Sequence, residues 1–378
     1  MRARPECPAS RADAIERAAR RAANEPAVRG CGEPRRAPAA RSESGAQSIA
    51  SGPLRGPLLS RRIALALLLA ACGPAATVPD AGSDAGVDAA TVVFPRVDAG
   101  HDGGTDAGPR CEPVDGGAIA ACNGHADLCD RRFDQVAYAT THNAMSSAEQ
   151  HFVGPNQDYA LWRQMSDGVR GLMLDVHYAR DGTTASLCHA ECGFGGFPLV
   201  DGLGDIRAFL DCHPDEVITI IFESYVPESA IADAFEASGL IRYVHAQDAA
   251  QPWPTLREMI GANERMVVFT ADTARTLPWH MYSYDYAWEN PYAAATPSDL
   301  SCAQDRGNRA RSLWIFNHFL TNPIAMPSLA EMINHDPFFQ NRVDGCRTDA
   351  SGDLPNFVTV DFYDIGDLFA VVDALNGF

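Results

Sequence analysis

Ionisable and amide side chains stand at the end of nearly every short apolar run in the C-terminal two thirds of this chain. They are His142-Asn143, Asp175 with His177 two places on, His189, Glu223, Asp272, Asn317-His318 and Asp361. Imidazoles, with an unperturbed pKa of about 6.5, supply both protonation states near neutral pH, so His142 and His189 are candidates for proton transfer. A single histidine is more often a core or surface residue with its hydrogen bonds satisfied. The weight here lies in the recurrence at strand ends.

The elements that must position these residues are short. Val136–Thr140, Gly171–Val176, Ala185–Cys188, Val217–Phe222, Arg265–Thr270, Leu313–Phe316 and Phe357–Asp361 read as strands. Val217–Phe222, a β-branched run, has the pattern of a strand buried on both faces. Helical patterns lie between them near Tyr159–Asp167, Leu203–Cys212, Glu228–Ser238, Thr255–Ile260, Ser328–Asn334 and Gly366–Leu375. Such alternation predicts an α/β fold of the (β/α)8 TIM-barrel type, distorted, with the eighth strand near Leu240–Val244. An open doubly wound sheet is the alternative, but no Gly-rich phosphate loop follows the first strand. In a barrel the active site forms where the strands end, which is where the polar residues fall.

Four segments in order carry a specific resemblance: Thr141-His-Asn-Ala-Met145, Gly168–Asp175, Leu187-Cys-His189 and Val217–Glu223. They resemble the catalytic X region of phosphatidylinositol-specific phospholipases C, over about Leu128 to Phe378. The resemblance implies a distorted barrel and a phosphodiester cleaved with the help of two histidines. The substrate class implied is a phospholipid or its head group, and the reaction a phosphoric diester hydrolysis or phosphorus–oxygen lyase step. A hydroxyl beside the phosphorus attacks, so the reaction needs a base, an acid and positive charge near the phosphoryl oxygens. On this reading His142 is the base, His189 the acid and Asp361 the group that orients an imidazole, while Arg170 is a candidate phosphate contact. The competing reading of Arg170 is a salt bridge near a strand start. Asn143, Asp175 and Glu223 match the calcium-dependent variant of the family, and their oxygens suit a hard cation. Met173 departs from that variant, which carries Glu there. His177 is a supporting candidate, and Asp272 and His318 are weaker ones. The aromatic stretch Trp279–Tyr292 reads as a long loop over the barrel mouth, either a wall or lid that receives substrate or a packed loop with hydrophobic anchors. Two rival functions remain: a glycerophosphodiesterase-like hydrolase, whose Glu-x-Asp pair Met173-Leu174-Asp175 lacks, and a catalytically inactive surface-binding lipoprotein.

Charge narrows the partners. All 30 basic residues are Arg and face 49 Asp and Glu, for a net charge of −19. Thirteen of those Arg lie within the first 62 residues, so the rest of the chain is strongly acidic. Such a surface repels nucleic acid and anionic lipid. Arg61-Arg62, the apolar run Ile63–Ala71 and Cys72 form the pattern of an exported lipoprotein's signal peptide, with Cys72 the lipidated residue. Residues 1–72 are therefore read as an upstream segment plus signal peptide. The translation start is expected to be mis-assigned, because about sixty residues before a signal peptide is abnormal. Residues 73–110, with repeated Asp-Ala-Gly, read as a disordered tether, and 111–378 as the barrel domain. The expected state is a monomer anchored by lipid to the bacterial cell envelope, or extracellular. Apart from Cys7, Cys31 and Cys72, eight Cys remain, an even number that suits disulfides in an exported protein. The expected pairings are Cys188 or Cys192 with Cys212, and Cys302 with Cys346. Peptides mapped from the native protein are expected to include none from Ala12–Arg41.

Overall fold

Apolar residues at every second position of the strands pack outward against helices, while the residues between them face the barrel interior. This parity runs through a computed structural model that describes residues 118–378 other than Ala274. The upstream segment, the apolar run, Cys72, the tether and Cys111 lie outside the described residues.

Eleven strands are present among the described residues. They are β1 (Tyr138–Thr141), β2 (Gly171–Tyr178), β3 (Ala185–Leu187), β4 (Phe197–Pro198), β5 (Ile218–Ser224), β6 (Met266–Thr270), β7 (His280–Tyr282), β8 (Ala287–Glu289), β9 (Arg306–Gly307), β10 (Leu313–Asn317) and β11 (Phe357–Val360). The sheet runs β7-β6-β5-β2-β1-β11-β10-β8-β9. From β7 to β8 in that order every pairing is parallel, which gives the eight parallel strands of a barrel. The sheet curls without a ladder between β7 and β8, so the barrel is open at that seam. β9 pairs antiparallel to β8, and β3 antiparallel to the end of β2.

Eight α-helices alternate with these strands among the described residues: α1 (Leu161–Asp167), α2 (Leu199–Cys212), α3 (Glu228–Ser238), α4 (Leu256–Ala262), α5 (Ser283–Tyr286), α6 (Pro327–Ile333), α7 (Phe338–Asp349) and α8 (Leu368–Asn376). The larger core lies between sheet and helices: Leu172, Leu174 and Val176 of β2, Ile218, Ile220 and Phe222 of β5, with Leu203, Ile206 and Phe209 of α2. Ile221, Val267, Phe269, Ile315 and Phe357 fill the barrel interior. None of the described helices is long and apolar enough to cross a membrane.

All seven expected strands exist, but several expectations are corrected. Leu240–Tyr243 is a 3-10 helix, with only a bridge from Val244 to Met266. The missing barrel strands lie instead in the aromatic stretch, as β7 and β8 on either side of α5. Three-residue strands are too short to show a period, so the stretch reads as a loop although parts of it are barrel strands. Ala185–Leu187 is antiparallel and lies outside the set of eight. Among the disulfides, Cys302–Cys346 forms as expected. Cys188 pairs with Cys192, and Cys122 with Cys129. Cys212 is disulfide-bonded too, but not to Cys188 or Cys192.

The N-terminal end of the barrel is tied by Asn356, which is fully buried. Its amide nitrogen donates to the carbonyls of Asp134 (3.0 Å) and Val136 (3.1 Å), and its oxygen accepts from the Trp314 N–H (2.9 Å). One side chain thus joins β10, β11 and the entry to β1. Asn356→Ala leaves these buried groups unpaired and is expected to cost about 3 kcal/mol, read as a lower urea midpoint at unchanged slope.

Candidate functional site

The register of β1 against β11, Thr141 opposite Val360, places the next residues side by side at the barrel mouth: His142 and Asp361. His142 Nδ1–H donates to Asp361 Oδ1 at 2.9 Å. Asn156 Nδ2 donates to the same oxygen at 3.0 Å. Phe319 stacks on the imidazole, with centroids 3.9 Å apart and planes 7° from parallel. Gln157 holds the backbone beneath by donating to the carbonyls of His142 (2.8 Å) and Val360 (3.1 Å). The ring is thus fixed in tautomer and orientation, with Nε2 turned to the pocket. Burial depresses the His142 pKa most strongly as a single cause. Asp361 together with Asp175 and Glu223 outweighs it, so the net shift is upward.

A second register does the same for two carboxylates. Asp175 on β2 stands opposite Glu223 on β5, and both have inward parity. Asp175 is buried and Glu223 exposed at the mouth, where it accepts a hydrogen bond from Tyr225. Burial, then the charge of Glu223, pushes the Asp175 pKa up to about 7. Asn143 sits beside them, in a left-handed backbone conformation (φ 46°). With its nitrogen toward Asp175, its amide donates to both carboxylate oxygens at 3.3 Å and its oxygen accepts from His142 Nε2 at 3.2 Å. Turned the other way, the amide oxygen faces the same carboxyl group, an arrangement favoured by a cation between them or by the proton that the raised Asp175 pKa retains. Among the described residues no group of three or more His, Cys, Asp and Glu is placed for a metal. The oxygen set is two carboxylates and one amide, and this suits a hard cation.

His189 is exposed at the rim, on the loop closed by Cys188–Cys192. Partial loss of water around its ring and the neighbouring charge of His142 lower its pKa, with Asp361 and Glu223 opposing. The loop returns to the mouth because β3 folds back along β2, and the Cys188 N–H donates to the Asp175 carbonyl at 3.3 Å. His177, also of inward parity, stacks on Tyr225 at 4.2 Å.

Arg170 is not at the mouth. It precedes β2 at the opposite end of the barrel, donates to Glu216 at 2.6 Å and to the carbonyls of Met165 and Val169. Its reading as a phosphate contact is corrected to that of a structural tie. His318 is also removed from the site. Asn317 faces inward, and so His318 faces the helix layer, fully buried between Arg342 Nη1 (2.9 Å) and the Ile333 carbonyl (3.0 Å). Asp272 does not line the pocket.

The pocket at the mouth is open to solvent; it includes Tyr284, Glu289 and Tyr292 of the aromatic stretch expected over the mouth, and Arg306, which the sequence reading had not singled out. Glu289 is buried, accepts from Tyr284 OH at 2.9 Å and is ion-paired with Arg306. An acidic residue two places into an Ala-Trp-Glu run at a barrel end was the available signal, hidden because β8 was read as loop.

The PI-PLC X family model matches residues 128–376. The PI-PLC X domain-containing protein 1 of Arthroderma benhamiae is 30% identical over 280 residues, spanning 68% of this chain and 89% of that protein. The PI-PLC X domain-containing protein At5g67130 of Arabidopsis thaliana is 30% identical over 271 residues, spanning 65% of this chain and 62% of that one. A solved phosphatidylinositol-specific phospholipase C of Staphylococcus aureus overlays with a TM-score of 0.45 at 15% identity, covering 62% of this chain and 88% of that one.

Asp175 yields a pH-dependent prediction. With its folded pKa near 7 against 3.8 for the free group, the folded state holds a proton that the unfolded state lacks between those values. Stability therefore falls as pH rises through that window. Asp175→Asn is expected to raise the melting temperature of chelator-treated protein at pH 8, an effect on the order of 3 kcal/mol, and to change it little at pH 4. An equal gain at both pH values would refute the assignment. Arg170→Ala is expected to lower the melting temperature, since it leaves Glu216 without its ion-pair partner.

Proposed function

Because the chain belongs to the PI-PLC X-domain family, we propose that it is a phospholipase C-like phosphodiesterase acting on a phospholipid or its head group. The observation that carries this reading is the oriented His142–Asp361 pair facing Asn143, Asp175 and Glu223 in one pocket. His142 Nε2 takes the proton of the attacking hydroxyl, and Asp361 steadies the imidazolium that forms. His189, reaching in from the rim, returns a proton to the leaving oxygen. Asn156 and Phe319 hold the base against rotation, and Phe319 keeps one face of the ring from water.

A calcium ion is the proposed cofactor, held by Asn143, Asp175 and Glu223. When bound it supplies positive charge for the phosphoryl oxygens. In its absence the charges of Asp175 and Glu223 add to the upward shift that Asp361 gives the His142 pKa. Countering their charge lowers that pKa toward what a base requires. We also propose that the protein is exported, anchored at Cys72 through lipid, and monomeric. This rests on the Arg61–Cys72 pattern. Release of the native protein from the membrane fraction by Cys72→Ser would support it, and retention would overturn it.

The residues Cys111–Phe378 are to be assayed on phosphatidylinositol vesicles and on glycerophosphodiesters, with calcium or with chelator. His142→Ala is expected to lower kcat by about 10²–10⁴-fold on any phosphodiester. His189→Ala is expected to lose a similar factor with an alkoxide leaving group but much less with a nitrophenolate, which needs no protonation. Asp361→Asn is expected to lower kcat and to move the acid limb of the kcat/KM profile to lower pH, since Asp361 raises the His142 pKa. Full activity in a His142→Ala, His189→Ala double variant would overturn the site. Activity unaffected by chelator would remove the cation. Turnover of glycerophosphodiesters alone would favour the glycerophosphodiesterase-like reading.

A further inference from the structure

The two histidines of the site are held in opposite ways. His142 is clamped between Asp361, which Asn156 supports, and the ring of Phe319. His189 stands near enough to feel the charges of His142, Asp361 and Glu223. Yet no hydrogen bond, ion pair or ring contact from the described residues fixes its imidazole. What fixes it is the backbone that carries it. The Cys188–Cys192 disulfide, with a sequence separation of 4, closes a ring around His189, Ala190 and Glu191. Within that ring the Glu191 N–H donates to the His189 carbonyl at 2.8 Å, across an Ala190 with a φ of 59°. A three-residue turn through the left-handed region at a residue with a side chain persists only where its surroundings impose it.

One end of the ring belongs to the sheet. Cys188 is fully buried at the end of β3, and its N–H donates to the Asp175 carbonyl. Leu187 before it pairs with Val176 and with Phe197. A Cβ on Gly196 would lie 2.9 Å from Cys188 Cβ, so the returning chain packs tightly against this end. The other end is looser. Cys192 is half-buried, while His189, Ala190 and Glu191 are exposed. The next anchor is Phe194, whose carbonyl accepts from the Val153 N–H at 2.7 Å. Without the S–S bond, backbone hydrogen bonds would tie Cys188–Phe194 to the rest of the fold at its two ends only. Such a short ring adds little to the stability of the domain, because the loop entropy that a disulfide removes grows with the span it closes. Cys302–Cys346, with a separation of 44, is the staple by that measure. The Cys188–Cys192 bond acts on local shape.

Resting on the proposed phosphodiesterase reading, we infer that this disulfide positions His189 and makes proton return to the leaving oxygen depend on its oxidised state, so that a dithiol switches the reaction off reversibly. A thiolate of the dithiol attacks the Cys192 sulfur, the S–S bond breaks, and Cys188 leaves as a thiolate that takes up a proton. The second thiol of the reductant displaces Cys192 from the mixed disulfide and closes a disulfide of its own. Two electrons and two protons pass to the cysteines. Their sulfurs no longer stay at bonding distance, and the turn that carries His189 relaxes. On a chain exported as proposed, the site stays idle until it has left the reducing compartment.

The full chain is assayed with calcium before and after treatment with dithiothreitol, on phosphatidylinositol and on a nitrophenyl phosphodiester of inositol. Reduction is expected to lower kcat on phosphatidylinositol by about 10-fold or more, and on the nitrophenyl ester, whose leaving group needs no proton, by less than about 3-fold. Reoxidation is expected to restore both. A Cys188→Ser, Cys192→Ser double variant is expected to match the reduced protein and to ignore the dithiol, which separates this bond from the other disulfides. In a His189→Ala background, reduction is expected to change kcat by less than about 2-fold. A readout independent of activity is amide relaxation. Order parameters at His189, Ala190 and Glu191 are expected to fall from about 0.85 to below about 0.6 on reduction, while that of His142 holds. If the double variant fails to fold by circular dichroism, Cys192→Ser alone makes the same comparison. Equal losses on the two substrates, full activity in the folded variant, or a turn that stays ordered after reduction overturns the inference. A chain that turns over neither substrate defeats the phosphodiesterase reading, and the order parameters then still decide whether the disulfide fixes His189.

Discussion

The hydrogen bond from His142 to Asp361 joins the first and last strands of the barrel in sequence. Those strands are neighbours in the sheet, and their register alone brings residues 219 apart in sequence to 2.9 Å. The rest of the site depends on this closure. Asn156 and Gln157, from the loop after β1, bind Asp361 and the β11 backbone, so the loop is ordered by the last strand rather than by its own neighbours. At the other end Asn356 performs the same joining, and Asn376 of the final helix exchanges two hydrogen bonds of 2.9 Å with the backbone of Ala137. Assembly of the His142–Asp361 pair is therefore inseparable from completion of the fold, a long-range contact whose loop-closure cost the whole domain carries.

Strand parity then decides which polar residues reach the pocket. His142, Asp175, Glu223, Glu289, Asn317 and Asp361 all have inward parity at strand ends. His318 has the opposite parity and is spent on helix packing, where Arg342 and a carbonyl satisfy both ring nitrogens. Met173 shares the inward parity of Asp175 and lines the same pocket. Its position is that of a ligand although its chemistry is apolar.

Most of the fold was legible because the strands that matter are long enough to show a pattern. Val217–Phe222 reads as a buried strand in any context, and β5 is the result. The site residues on β1, β2, β5 and β11 were legible for the same reason: each follows a recognisable apolar run. The other wall was not. β7, β8 and β9 are two or three residues long, and their pairing is set by tertiary features such as the Gly307 close approach, which no local period reports. Arg170 was ambiguous in sequence because a strand start and a strand end are only a few residues apart. Its partner, Glu216, lies 46 positions away and is identified only by the sheet order.

Electrostatics tie the two walls together. An acidic chain without Lys that binds an anion must concentrate positive charge locally, yet each cationic side chain in this pocket already faces a carboxylate. Asp175 shows the consequence, since burial and Glu223 lift its pKa to about 7. With a divalent cation between them, Asp175 and Glu223 leave that wall neutral. A third carboxylate at position 173 would tighten the hold on the cation but make the wall negative where a phosphodiester has to approach. Met173 leaves the wall apolar at that place. The pocket thus holds its cationic side chains in matched pairs, Arg306 with Glu289 and His142 with Asp361.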